Sequence, residues 1–529
     1  MSGFIMCRKY KFYVIPLVLL LLYFQYKTHL KPDTSKTLRR KVNLQYVIVH
    51  LDLKGSPPKL TYLESLLPTL KKYGVNGILM EYEDMFPYEG RLVNLSAINC
   101  YNKQKLKTFV IKAINSGVEI IPLVQTFGHM EHALKLKEFM HLREVVAAPM
   151  DICPSKPESQ LLLKDMLKQV IDFHSSILPL KHIHVGCDEV YKINQCKLCR
   201  QRKLKNIDLF LKHVQIVESI VKGLNPNIKV LIWDDMLLKA KEPLQKTDFD
   251  LSNIEPVCWN YRPNFQISDA SLYNYHKVFN NIWVASAFKG ADGDNGILPK
   301  LEKRFLNNLQ WLRTISDYKF GGESKAYNFK GMILTGWSRY SHMAPLCELL
   351  PAAMPSLILN LILIKTVREG IDFDDLQNMD FCDFYNKYIK THFETEYEFD
   401  DNYTECLFEN NKLYTELNTY FVFQTTMKKL NKLPFDKYNF EMGNINLKEV
   451  RRSLFNCNKI LKQYSLSKQQ IENYMAQYYE NDVIEEYLHD NLYIYETDVI
   501  KNKKFFQMYI NTNFWRRRPS SIPNSTVYN

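Results

Sequence analysis

Eight short apolar runs recur between residues 45 and 365, and an amphipathic stretch separates most of them. They are Val47–Leu53, Gly77–Glu83, Glu119–Phe127, His182–Glu189, Lys229–Asp235, Pro256–Tyr261, Ile282–Phe288 and Gly331–Trp337. The runs are continuously apolar rather than alternating, as strands buried on both faces of a parallel sheet must be. The intervening segments Tyr62–Lys72, Lys103–Ser116, Gln160–Ser175, Leu204–Lys222 and Lys300–Ser316 place apolar residues at helical spacing. After the fifth and sixth runs the helical pattern is weaker. Eight strand-helix units over this length predict an α/β fold, a (β/α)8 TIM barrel, whose active site lies at the C-terminal ends of the strands. A doubly wound sheet is the alternative, but no glycine-rich phosphate loop follows the first run.

The barrel placement predicts that unusual polar groups cluster where runs end. Asp52, Glu81, Glu83, Asp84, Gln125, His129, Asp188, Glu189, Asp234, Asp235, Trp259 and Trp337 do so. Asp188-Glu189 is the most informative pair. Adjacent strand side chains point to opposite faces, so at a strand end each enters a pocket from its own side. A carboxyl shielded from water beside another carboxylate has a raised pKa and can serve as a general acid. The competing reading makes Asp188 a helix cap and Glu189 a first-turn acid. Trp233, Trp259 and Trp337, at the ends of runs five, six and eight, weigh against it. Taken singly each would be core; together at a barrel mouth they form walls on which sugar C–H faces stack. His129, after the third run, is either a structural hydrogen-bonder or part of the catalytic network.

At these residues the chain resembles the family-20 β-N-acetylhexosaminidases. The motif His184–Glu189 (HVGCDE) follows the family's H-x-G-x-D-E pattern. Within the family the closer resemblance is to the hexosaminidase D group. It runs through Val49–Gly55 (VHLDLKG), Glu81–Gly90 (EYEDMFPYEG), Leu123–Met130 (LVQTFGHM), Trp233–Met236 (WDDM), Ala285–Gly290 (ASAFKG), Thr335–Trp337 (TGW) and Cys347–Pro351 (CELLP). These blocks fall in order at the ends of the runs and cover roughly residues 45 to 360. The resemblance implies a retaining exo-β-N-acetylhexosaminidase that uses the substrate's own acetamido oxygen as nucleophile, an exception to the two-carboxylate scheme. Carried over by position, Glu189 is the acid/base and Asp188 orients the acetamido N–H and stabilises its developing charge. Trp233, Trp259 and Trp337 enclose the sugar, with His129 and Asp235 beside them. Two positions depart from the family. Arg339 stands where the broader family has an acid two residues after its last-strand Trp. Phe288 occupies the place of its acetamide-binding Tyr, for which Tyr261 is the candidate replacement. The hexosaminidase D resemblance also implies a leaning to GalNAc over GlcNAc. No cofactor and no metal are called for.

Two other function classes compete with this reading. One is a membrane-tethered carbohydrate-binding protein on an inactive barrel, against which the retained Asp188, Glu189 and tryptophans speak. The other is a zinc hydrolase using Cys196, Cys199 and a nearby His, which lacks any H-E-x-x-H spacing. The CxxC pair has no second pair following it, whereas a zinc site needs four ligands. Ordinary thiols, or a local disulfide in a luminal domain, are expected. Eleven cysteines form no small-secreted-domain framework, and Cys187, Cys258 and Cys347 lie inside apolar runs.

The 529 residues exceed one ordinary domain and suit a barrel with an appendage; 46% apolar and 24% charged residues exclude overall disorder. The net charge of +12 is interleaved with acids over predicted helices, which marks a solvated surface and not a nucleic-acid site. Near the N-terminus, Phe12–Phe24 is apolar and flanked by Arg8, Lys9, Lys11, Lys27 and Lys31. A spanning helix needs about 20 residues, reached with Tyr10, Gln25 and Tyr26 at the interfaces. No small-residue cleavage site follows, which favours an uncleaved signal-anchor over a signal peptide. Single-pass membrane attachment in the Golgi or secretory pathway is expected, but Lys36, Arg39, Arg40 and Lys41 leave the orientation open. Sequons at Asn94, Asn402 and Asn524 permit a luminal domain.

The expected organisation is therefore a cytoplasmic tail and anchor at 1–27, a stem at 28–42 and the barrel at 43–368. A helical region at 369–510 and a tail at 511–529 follow. The helical region, with Asp383–His392, Tyr403–Leu417 and Lys468–Tyr479, either packs on the barrel or mediates association, a homodimer included.

Overall fold

The computed structural model describes residues 42–240, 244, 249–320, 327–370, 412–430 and 446–510. The anchor, the stem up to residue 41, the helical stretch Asp383–His392, the sequons at Asn402 and Asn524 and the C-terminal tail lie outside them.

Eight parallel strands close into a barrel in the order β1-β10-β9-β8-β7-β6-β3-β2. They are β1 (Tyr46–Asp52), β2 (Gly77–Glu81), β3 (Glu119–Leu123), β6 (His182–His184), β7 (Lys229–Trp233), β8 (Ile254–Trp259), β9 (Ile282–Lys289) and β10 (Phe329–Gly336). Each coincides with one of the eight runs. Residues that the runs carried beyond a strand, such as Gln125, Asp188 and Asp235, belong to the loops at its C-terminal end. The antiparallel hairpin β4 (Arg143–Val145) and β5 (Ala148–Ile152) stands outside the barrel, between β3 and β6 in sequence. Its strands are too short to leave a periodic trace.

Strand alternation sorts the side chains into two cores. Ile48, Leu79, Ile121, Leu231, Val257 and Ile333 fill the barrel interior with Trp283, and Trp233 closes the top of that layer. Their neighbours Val47, Val49, Ile78, Met80, Val230 and Ile232 face outward against helices. The opposite, N-terminal end of the barrel is plugged by a polar group. Trp283 Nε1 donates to Glu255 (2.7 Å), and Lys330 Nζ lies 2.9 Å from the same carboxylate.

The outer ring contains α1 (Leu60–Lys72), α2 (Lys103–Asn115), α3 (Pro157–Ser175), α4 (Asn206–Leu224), α5 (Asp269–Val278), α6 (Leu301–Phe320) and α7 (Leu350–Arg368). Local chemistry sets several starts. Asn102 caps α2 by accepting from Gln104 N (3.0 Å) and Lys105 N (3.1 Å), and proline opens α3. Among the described residues after β7 there is only the 3-10 turn Leu237–Lys239 before β8, and α5 is short, in keeping with the weak patterns there. Helix α7 is apolar enough to cross a bilayer by length and composition, yet 89% of its apolar window is buried. It is a core helix of the barrel wall.

Of the C-terminal helices, α8 (Lys412–Leu430), α9 (Leu447–Met475) and α10 (Asn481–Leu488) pack on the barrel, while α11 (Ile494–Ile510) packs on α9. Leu346, Leu349 and Ala352 at the start of α7 share a core with Leu417, Tyr420, Tyr464, Met475, Tyr479 and Tyr487. Lys59 N donates to Tyr478 O (2.7 Å), and Tyr479 OH accepts from Leu350 N (3.2 Å). This region therefore packs on the barrel.

Candidate active site

A cavity of about 190 Å³ opens at the C-terminal mouth of the barrel. Its lining includes Lys54, Glu81, Gln125, His129, Asp188, Glu189, Trp233, Trp259, Tyr261, Trp337 and Arg339. Seven of the eight residues singled out from sequence thus meet around one space, delivered by the C-terminal ends of β3, β6, β7, β8 and β10 or the loops after them. The eighth, Asp235, stands behind the wall. Its Oδ2 accepts from Glu189 N (3.1 Å), so it fixes the backbone of the acid and does not line the cavity.

The centre is a triad of charges. His129 Nε2 lies 3.4 Å from Asp188 Oδ2 and 3.3 Å from Glu189 Oε2. Glu189 Oε1 accepts from Tyr191 OH (2.7 Å). Asp188 Oδ1 is buried and has no hydrogen-bond partner. A buried, unpaired carboxylate oxygen costs free energy unless a ligand donor reaches it.

The surrounding contacts hold this arrangement against backbone strain. Cys187, Glu189 and His129 have φ of 71°, 50° and 52°, in the left-handed region that side chains avoid. Such residues cost about 1–3 kcal/mol each and persist where surrounding contacts over-determine them. Gly128 has no such φ but must be glycine for space, since a Cβ there would collide with the Asp188 carbonyl. The Gly-His of the third loop and the Asp-Glu of β6 are therefore in backbone contact.

The electrostatics reverse the ordering expected from sequence. Burial pushes Asp188 up to about 7, against the pull of His129. Glu189 is lowered, chiefly by its hydrogen bond to His129, which outweighs the desolvation of a side chain that retains 32% exposure. Burial alone would neutralise His129, but the Asp188 charge and the Glu189 hydrogen bond raise it to about 10. The raised carboxyl is Asp188, not Glu189.

The aromatic walls follow the strand ends. Trp233 and Trp337 lie 5.8 Å apart, and Trp259 stacks on Tyr261 at 5.2 Å. Trp337 Nε1 donates to Tyr261 OH (3.1 Å), linking the β8 and β10 loops. Phe288, at the place of the family's tyrosine, faces the other way into the outer core, where it presses on Gly336. Tyr261 is the tyrosine that lines the cavity.

Three features escaped the sequence reading. Lys54, two residues beyond β1, is buried on the floor with Glu83 (3.0 Å), Asp52 (3.5 Å) and Glu81 (3.9 Å). Burial opposes its charge, but those acids hold its pKa well above the usual lysine value. Tyr191, two residues after Glu189, carries no motif signal and reaches Glu189 only through the turn of the loop. Arg339 was noted only as a departure; it enters the cavity wall and is paired with Glu486 of α10. The helical region, in which no chemistry was found, thus supports one wall of the site.

The chain is also similar to known proteins. Residues 64–278 match the catalytic domain of glycosyl hydrolase family 20. The chain is 42% identical over 317 residues to hexosaminidase D of Bos taurus, spanning 59% of this chain and 89% of that protein. It is 40% identical over 337 residues to hexosaminidase D of Homo sapiens, spanning 62% of this chain and 67% of that one. The chain therefore belongs to glycosyl hydrolase family 20 and is a β-N-acetylhexosaminidase.

Proposed function

We propose that the enzyme removes terminal β-linked N-acetylhexosamine from glycoconjugates with retention, through the substrate's acetamido group, and favours GalNAc over GlcNAc. The observation that carries this reading is the buried, partnerless Asp188 Oδ1 in the cavity beside Glu189. An acetamido N–H is a donor of the right kind for it, and Trp233, Trp259 and Trp337 offer faces for the sugar and its methyl group.

In the proposed sequence Glu189 gives its proton to the glycosidic oxygen while the acetamido oxygen attacks the anomeric carbon. The aglycone leaves and an oxazolinium forms, its positive charge facing Asp188. Glu189 then takes a proton from water, which opens the ring and restores the original anomer. Glu189 must be protonated at the start, although His129 lowers its pKa in the empty site. A sugar that fills the cavity removes water from Glu189, and desolvation raises a carboxyl. Asp188, Glu189 and His129 face one another and titrate as one coupled group.

Support for the galacto preference is the hexosaminidase D likeness together with Arg339 at a position where the wider family carries an acid. The apolar Phe12–Phe24 segment supports attachment to a secretory-pathway membrane, with the glycan of a glycoconjugate as the partner. Turnover of aryl β-GalNAc and β-GlcNAc substrates, with the first-formed anomer read by NMR, tests the proposal. Inverted product, or equal turnover of an analogue lacking the 2-acetamido group, would overturn it.

A further inference from the structure

The loop that carries Glu189 ends in the CxxC pair, and the fold gives that pair the companions its sequence neighbourhood lacks. Cys153, just after β5, places its Sγ 3.4 Å from Cys196 Sγ and 3.6 Å from Cys199 Sγ. Glu144, in β4, sets Oε2 3.2 Å from Cys199 Sγ. One sulfur or oxygen from each of these four residues lies within 4.8 Å of every other. From these contacts we infer that Glu144, Cys153, Cys196 and Cys199 form a closed, structural zinc site that fastens the catalytic loop to the β4–β5 hairpin.

The chemistry favours zinc. Three thiolates and a carboxylate are a set for a borderline-soft, tetrahedral ion with no redox step of its own. Zn–S bonds of about 2.3 Å put tetrahedral sulfurs about 3.8 Å apart, a few tenths beyond the separations observed. The surroundings orient the donors. Cys199 N donates to Cys196 Sγ (3.3 Å), a contact that favours the thiolate. Glu144 Oε1 is held by Gln195 N (2.6 Å) and Cys196 N (2.7 Å), which turns Oε2 toward the sulfurs. Binding displaces the three thiol protons to solvent, and four protein donors leave no position for a reactive water. None of the four residues lines the sugar cavity, so the ion has no part in the hydrolysis.

Its role follows from what it joins. The hairpin already grips the loop through Asp151 Oδ2, which accepts from Lys192 N (3.2 Å), and through Glu144 at Gln195 and Cys196. Between Asp188 and Cys196 run Glu189 and Tyr191, two of the residues placed at the catalytic centre. A metal cross-link at the end of this segment limits its opening.

Metal analysis of the full chain purified without chelator is expected to give about one zinc per chain, released when a mercurial reagent blocks the thiols. Cobalt exchange should produce thiolate charge-transfer absorption and tetrahedral d–d bands. Cys153→Ser and Cys199→Ser should each lose most of the zinc, and Glu144→Gln should shift the cobalt spectrum. Removal of the ion from the wild type should lower Tm. Should the serine variants fail to fold, the mercurial release and the cobalt spectrum of the wild type decide alone. Wild-type protein without stoichiometric zinc, with these cysteines free or with a disulfide-linked peptide joining two of them, would overturn the assignment.

Discussion

Arg339 in the wall of the sugar cavity is paired with Glu486 of α10, a residue 147 positions further along the chain. Arg339 is only 7% exposed, whereas Glu486 is 43% exposed. The ion pair therefore anchors a buried cation from the rim. Glu486→Gln should cost about 1–2 kcal/mol of substrate affinity, between the values for surface and buried pairs. Expected in steady-state kinetics is a rise in KM of roughly tenfold with kcat little changed. An unaltered KM would mean that Arg339 is held without α10.

Glu189→Gln keeps the shape of the side chain and removes the transferable proton. General acid–base catalysis contributes about 10²–10⁴-fold, and kcat on alkyl glycosides should fall by that range. Aryl substrates with good leaving groups should lose less in the first step. Sugar binding, measured by calorimetry, should persist.

Asp188→Asn should lower kcat by about 10²–10³-fold on N-acetyl substrates, the loss typical of removing one fixed group that stabilises transition-state charge. Burial pushes Asp188 up to about 7, so the ionised form needed in the reaction is lost as pH falls through that value. The acid limb of kcat/KM in the wild type should lie near pH 7 and be absent from the residual activity of the variant.

His129 rises from an ordinary 6.5 to about 10 on folding, despite its burial, because Asp188 and Glu189 hold its proton. The folded chain then binds this proton more tightly than the unfolded one. The resulting stability is complete below about pH 6.5 and is lost as pH rises through 10. Thermal melts between pH 6 and 10.5 should show Tm falling in the wild type and falling less in His129→Asn. Parallel curves would show that His129 gains no proton affinity on folding.

Gly128→Ala would drive a methyl group into the Asp188 carbonyl. The neighbour is backbone and cannot swing aside, so a destabilisation of about 1–3 kcal/mol is expected. Because the displaced carbonyl belongs to the catalytic pair, kcat should fall as well. Denaturant titration beside the assay of the soluble variant measures both.

What the sequence determined by itself is whatever local periodicity encodes. Val47–Leu53 reads as a buried strand and Lys103–Ser116 as a helix because side-chain spacing along a short segment must match the face it buries. Closure of eight such units then puts the strand ends at one mouth, which is why Asp188, Glu189, His129 and the three tryptophans could be gathered from their positions alone. The tertiary structure decided what depends on residues far apart in the chain. Glu486 reaching Arg339, and Glu144 and Cys153 joining Cys196 and Cys199, have no local signature. The order of proton affinities belongs to the same class. Asp188 and Glu189 are adjacent and chemically alike, yet one is pushed up and the other down. Burial and the reach of His129 make that difference, and both come into being only when the third and sixth strands lie side by side.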